Sequence, residues 1–221
     1  MSYIPVLFVF LPIITSIFIY LFKNEKFSRI VFIIQPLMIL LFVLYAIFIH
    51  QNPDQGYLIL GGTEEAIRIS FYNDSLSLTF VGLTTIMWMA VLLYTFKTNK
   101  KESKFLFFLM FLQGVFMGML QTNDLFNLFV FIELIAVLVT ILIAYNKTGP
   151  SFRASIYYLL LNALAAVIFL IGIIFIYYVF GTINIQIIKA NIHTHADTHI
   201  IKLACVFVMA GIGVRGAWFP V

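Results

Sequence analysis

Charge is scarce in this chain. Of 221 residues, 13 are lysine or arginine and 9 are aspartate or glutamate, so charged residues make up 10%, against about 25% in a soluble domain. Apolar residues make up 63%, more than a soluble core of this size could bury, which places the chain in a bilayer as one integral-membrane unit. Cysteine is nearly missing: Cys205 stands alone among apolar neighbours and signals neither a redox compartment nor a metal centre. There is no haem, iron–sulfur or dinucleotide signature, so no cofactor is expected. The lack of an HExxH motif and of a serine–histidine pair in the apolar runs argues against an intramembrane protease, and no other catalytic site is read. Low-complexity tracts and lipidation motifs are missing too. The N-terminus has no basic leader and no small-residue cleavage site, so "MSYIPVLFVFLPIITSIFIYLF" reads as a retained first span.

What is present is a series of long apolar runs. A span needs about twenty apolar residues at ~1.5 Å rise each. Seven candidates meet this: 2–22, 29–50, 75–96, 105–122, 125–145, 156–180 and 200–220. Their continuous character argues for an all-α polytopic bundle rather than surface helices, and the alternation of a β-barrel is missing. Residues 1–104 hold helices one to three with an outer loop over 51–74, and residues 105–221 hold helices four to seven. In the outer loop Gly61-Gly62 marks a turn and "AIRISFY" alternates like a hairpin arm. The segment "GTINIQIIKANIHTHADTH" fits a loop with a short amphipathic helix.

The net charge of +4 sits mostly in loops and reads as a topology signal, not a nucleic-acid surface. With the N-terminus outside, the inner segments hold Lys23, Lys26, Arg29, Lys97, Lys100, Lys101, Lys104, Lys147 and Arg153, and the outer ones hold Arg68, Lys189 and Lys202. That asymmetry sets the N-terminus outside.

Two charges fall inside spans: Glu133 near the middle of the fifth and Arg215 in the seventh. One charge at mid-bilayer costs about 2.5–3.5 kcal/mol on insertion scales. A carboxyl can escape that cost by taking a proton, whereas a guanidinium in practice cannot lose one. Two readings follow: a proton-handling pair whose separation changes the affinity of Glu133 for a proton, and a static ion pair that orders the bundle. Gln113, Thr140, Tyr157, Tyr158 and Asn162 are candidates for a hydrated path, each also readable as an ordinary interhelical hydrogen bond. Gln35-Pro36 interrupts the second span. Asp124 and Asn127 read as a helix cap. Gly211, Gly213, Gly216 and Pro220 would either loosen the helix around Arg215 or permit close packing. His193, His195 and His199, with Asp197, form a weak candidate for zinc or nickel, but their spacing fits a solvated outer loop better, and no metal is expected. His50 reads as an interface residue.

Several of these stretches resemble one known family. "NDLFNLFVFIEL" is similar to the fifth-helix signature of antiporter-like proton-translocating subunits, "FRASIYYLLLNALAAVIFLIGIIFIYYVFGTINI" to the helix and loop that follow, and "GVRGAWFP" to the seventh-helix motif. "NDSLSLTFVGL" and the second-helix proline fit more weakly. The family includes membrane-arm subunits of NADH:quinone oxidoreductase, membrane-bound hydrogenases and large subunits of Mrp-type sodium/proton antiporters, and the wording is nearest that of the Mrp D subunits. The resemblance implies that Glu133 is the proton-handling glutamate, that Arg215 holds the place of a lysine, and that the partners are other membrane subunits, protons and Na+ within a cell membrane. It also implies a fold of about fourteen spans built on inverted repeats, of which this chain would be the N-terminal half. Three departures stand out. Arginine replaces lysine at 215, Tyr157 stands where a lysine is common, and the chain stops at "WFPV", so a fragment or split gene product is expected. A truncated, non-translocating structural subunit is the alternative function.

Overall fold

The computed structural model describes residues 4–22, 25–49, 57–60, 69–97, 102–195, 198–216 and 218. Its elements are α1 (Ile4–Phe22), α2 (Glu25–Ile49), β1 (Tyr57–Leu60), β2 (Ile69–Tyr72), α3 (Ser75–Lys97), α4 (Ser103–Gln121), α5 (Leu125–Ala144), α6 (Gly149–Phe180), α7 (Ile185–His195) and α8 (His199–Arg215). The described chain is therefore mostly helical, and β1 and β2 pair as a two-stranded sheet.

Helices α1 to α6 are long and apolar enough to cross a membrane. The seventh expected span is only partly described: α8 has 17 residues, about 25 Å of rise, and residues 217 and 219–221 lie outside the described set. Helix α6 is longer than the expected 156–180, at 32 residues. Its start is set by capping rather than by hydropathy. The Thr148 hydroxyl accepts the Ser151 N–H at 3.3 Å, and Pro150 sits in the first turn, where its missing N–H costs nothing. The polar Ser151 and Arg153 conceal that start from any reading based on apolar runs. Its end is Gly181, at φ +64°, whose N–H returns to the Tyr177 carbonyl at 2.8 Å. This left-handed position favours glycine. The expected hairpin arm corresponds to β2, and the expected amphipathic helix to α7. Gly61-Gly62, His50, Asp197 and Pro220 lie outside the described residues.

The chain divides into two compact units, Met1–Leu58 with Phe71–Gln121, and Ile59–Ser70 with Thr122–Val221. Within the first unit α4 packs on α1 and α3. In the first unit Phe8, Ile39, Val43, Ala46, Leu78, Val81 and Met117 form one buried cluster. Helices α1 and α4 approach closely at Gly114. A Cβ there would stand 2.8 Å from the Val9 carbonyl oxygen and 2.6 Å from Ile13 Cγ1. Small residues allow such approaches where lipid offers no hydrophobic drive to helix association. Large apolar side chains such as Leu41, Tyr94, Leu160 and Val206 are exposed, a liability in water and an ordinary surface in lipid.

The Gly114 contact yields the first prediction. Gly114→Val should lower stability by about 1–3 kcal/mol through overpacking, measured by thermal unfolding in detergent. Unchanged stability would mean that α1 and α4 do not pack this closely.

Candidate functional site

The second unit carries Glu133 and Arg215, both only partly buried, and two devices place them. The first is a polar knot that fixes the start of α5. Asp124 caps the helix, its Oδ1 accepting the Asn127 N–H at 2.7 Å, while Asn127 Nδ2 donates to Thr122 Oγ1 at 3.0 Å. The Leu125 N–H donates to the Ile183 carbonyl at 3.0 Å, and the Ile185 N–H to the Asn123 carbonyl at 2.9 Å. The Asn123 N–H reaches the Ser70 carbonyl at 2.9 Å, and its Nδ2 reaches Asn184 Oδ1 at 3.2 Å. Asn184 Oδ1 also accepts the N–H groups of Gln186 and Ile187 at 3.0 and 3.2 Å, which caps α7. Strand β2, the head of α5 and the link between α6 and α7 are thereby held together. Burial without water raises the Asp124 carboxyl above its ordinary value, although the N–H groups of Asn127 and Phe126 pull it down.

The second device is the crossing of α6 and α8. A Cβ at Gly172 would meet Val208 Cγ2 at 2.7 Å and the Ala204 carbonyl oxygen at 3.2 Å. Reciprocally, a Cβ at Gly211 would meet Phe169 Cβ at 2.8 Å and the Ala165 carbonyl oxygen at 3.1 Å. Each helix therefore offers an alanine and a glycine two turns apart, and the antiparallel partner presses its own pair against them. Arg215 follows Gly211 by one turn on the same face. Phe129, one turn before Glu133 on α5, stacks with Phe169 of α6 at 6.5 Å between ring centroids.

These placements converge. Arg215 Nη2 donates to Glu133 Oε1 and, at 3.4 Å, to the backbone carbonyl of Asn162. The Arg215 side chain is 14% exposed and that of Glu133 31%, so the carboxylate has the more open position of the two. Arg215 Nε is buried with no partner among the described residues. The arrangement brings a carboxylate on α5 and a guanidinium on α8 into direct contact.

The other candidates fall elsewhere. Asn162 Nδ2 donates to the Tyr158 carbonyl at 2.8 Å, so Asn162 meets Arg215 through its backbone rather than its amide. The Thr140 hydroxyl donates to the Ala136 carbonyl of its own helix at 2.7 Å. Tyr158 is half-buried and Tyr157 exposed, the latter in a groove with Gly149, Pro150, Arg153 and Ala154. Gln113 is in the first unit. Gly211 and Gly213 do not loosen α8, which is regular up to Arg215. It closes there with the Gly216 N–H on the Ile212 carbonyl at 2.8 Å and the Trp218 N–H on the Gly213 carbonyl at 2.9 Å, the latter a six-to-one bond typical of helix ends. His193 in α7 and His199 at the head of α8 are exposed, and no metal-binding group of three exists among the described residues. Sequence reading missed Ser70, Asn123 and Asn184; an asparagine just ahead of a helical pattern was the available signal for the last.

Residues 122–221 match the family described as NADH:quinone oxidoreductase/Mrp antiporter, transmembrane. The chain is 28% identical to the D subunit of the Na(+)/H(+) antiporter of Alkalihalophilus pseudofirmus over 225 residues, covering 100% of this chain and 45% of that protein. It is 31% identical to the Bacillus subtilis protein of the same name over 166 residues, covering 74% of this chain and 34% of that one. Its fold matches a chain in the structure of the Mrp complex from Dietzia sp., with a TM-score of 0.80 at 21% identity, covering 98% of this chain and 42% of the other. The chain is thus a multi-pass membrane relative of antiporter subunits, and it spans under half the length of the curated relatives it matches.

Breaking the pair should be asymmetric. Arg215→Gln leaves a carboxyl that can neutralise itself, whereas Glu133→Gln leaves a guanidinium that cannot. Glu133→Gln should therefore cost about 1–3 kcal/mol in thermal unfolding, below the ~3–5 of a fully buried pair because Glu133 is partly open, and Arg215→Gln distinctly less. Equal losses would contradict this. At the knot, a raised native carboxyl contributes stability that is complete below the ordinary aspartate value and lost as pH rises through the native one. Asp124→Asn, which keeps the cap acceptor, should match wild type in acid and become the more stable protein toward neutral pH. Asp124→Ala should lose about 1 kcal/mol of capping.

Proposed function

We propose that this chain, a multi-pass membrane relative of Mrp-type D subunits, works as a proton-handling membrane component of a multi-subunit monovalent cation/proton antiporter or a related proton-pumping complex. The observation that carries the reading is the contact of Arg215 Nη2 with Glu133 Oε1 inside a bundle of apolar helices. A carboxylate is kept ionised by a neighbouring cation and favours its protonated form when that cation withdraws and water is scarce. Glu133 would then load a proton as Arg215 moves away and release it as Arg215 returns. Arginine keeps its own proton, so Arg215 sets the state of Glu133 without relaying anything itself. Tyr158, Asn162 and Thr140 would border the path, with Tyr157 at its rim. The N-terminus lies outside, other membrane subunits complete the route, and protons are the ions handled, exchanged for Na+ where the complex is an antiporter.

The test is cation-driven proton flux in vesicles containing the complete set of subunits. Glu133→Gln should lower flux by about two orders of magnitude or more, the scale on which a positioned acid–base group acts. Arg215→Lys should retain most of it, because lysine also supplies a cation. Undiminished flux in Glu133→Gln would leave the static pair of a structural subunit as the reading.

A further inference from the structure

The first unit contains two buried amides that no part of this mechanism uses. Gln35 on α2 is 2% exposed and Gln113 on α4 is 0% exposed. The side-chain nitrogen and oxygen of both have no hydrogen-bond partner among the described residues. Each buried polar group left unmade costs about 1–3 kcal/mol. Four such atoms together rival the roughly 5–15 kcal/mol that stabilises an entire domain. A loss of that size calls for partners that the described residues do not supply.

The level of the two amides in the bundle identifies the chemistry of those partners. Ile39 of α2 and Met117 of α4 belong, with Phe8 of α1, to one buried apolar cluster. Gln35 and Gln113 precede these two residues by one turn on the same helix faces. Helix α4 runs antiparallel to α1, as the Tyr20–Phe107 ring pair and the Gly114–Ile13 approach require, and α2 returns along α1 after a link of two residues. Both amides therefore sit one turn to the same side of the cluster. On α1 that turn carries Pro12, which has no N–H to offer the Phe8 carbonyl. On α3 it carries Thr85, 0% exposed, whose hydroxyl donates to the Val81 carbonyl at 2.7 Å and keeps its oxygen free to accept. Four helices thus bring polar atoms to one layer.

Full burial of both amides shuts out a bulky group such as a lipid headgroup, so the ligand is small. It must also both donate and accept, because amide nitrogen and amide oxygen are present together. Water meets both conditions. We propose that the first unit binds a small internal water cluster at the level of Gln35 and Gln113, a hydrated layer one turn from its apolar core. This layer belongs to helices other than those bearing Glu133 and Arg215, and it stands independently of the proton-handling reading.

Methionines beside Gln113 provide the readout. Met110 and Met117 flank it on the same face of α4, and both are 0% exposed. Synchrotron X-ray footprinting of the whole chain in lipid nanodiscs generates hydroxyl radicals from bound water, which oxidise adjacent thioethers. Met110 and Met117 should be oxidised despite their burial, and about tenfold less in Gln113→Leu if the amide holds the water. Thermal unfolding of Gln113→Met supplies a second measurement that does not depend on the leucine variant folding. Removing a dry amide would raise its midpoint, whereas removing a hydrated one leaves the midpoint level or lower. Unoxidised Met110 and Met117 in the intact protein, undiminished oxidation in a folded Gln113→Leu, or a Gln113→Met variant more stable than wild type each overturns the proposal.

Discussion

A guanidinium among apolar helices cannot discard its charge, and the second unit is organised around that constraint. Arg215 needs an anionic acceptor within reach at a depth where water is scarce. The acceptor is on α5 and the cation on α8, and neither helix could provide the contact alone. Helix α6 lies between them in the packing sense: it stacks Phe169 on Phe129 of α5 and takes Gly211 of α8 against its backbone. The ion pair is therefore as well placed as those two contacts are tight.

Tightness comes from small residues and from a knot, not from charge. The reciprocal alanine–glycine steps on α6 and α8 bring the two backbones close enough that a single added carbon would collide. The knot of Ser70, Asn123, Asp124 and Asn184 fixes where α5 begins and so the depth at which Glu133 emerges. Each buried polar group in it has a partner, which is what a low-dielectric site demands. Glu133 is more exposed than Arg215.

Much of this was legible in the residues. Long apolar runs gave α1 to α5 to within a few residues, and the rarity of charge in them singled out Glu133 and Arg215. The start of α6 was hidden, because Thr148 and Pro150 set it through capping geometry while Ser151 and Arg153 made the segment look like a loop. The knot was hidden for a different reason. Ser70, Asn123 and Asn184 are far apart in sequence, and nothing local says that their side chains meet. The glycines before Arg215 allowed both a loosened helix and a close crossing, and only the position of Phe169 and Ala165 decides for the crossing. Asn162 stands out in sequence as a polar residue in an apolar run, yet it is its backbone carbonyl that meets the cation, which no side-chain pattern signals.

The account depends most on whether the carboxylate of Glu133 and the guanidinium of Arg215 touch in a bilayer. Dipolar-recoupling solid-state NMR on protein reconstituted in lipid, with 13C in the glutamate carboxyls and 15N in the arginine guanidinium groups, measures this directly. The account predicts a strong carbon–nitrogen coupling that disappears in both Glu133→Gln and Arg215→Lys. A wild-type spectrum without that coupling, or one in which it survives Glu133→Gln, would contradict it.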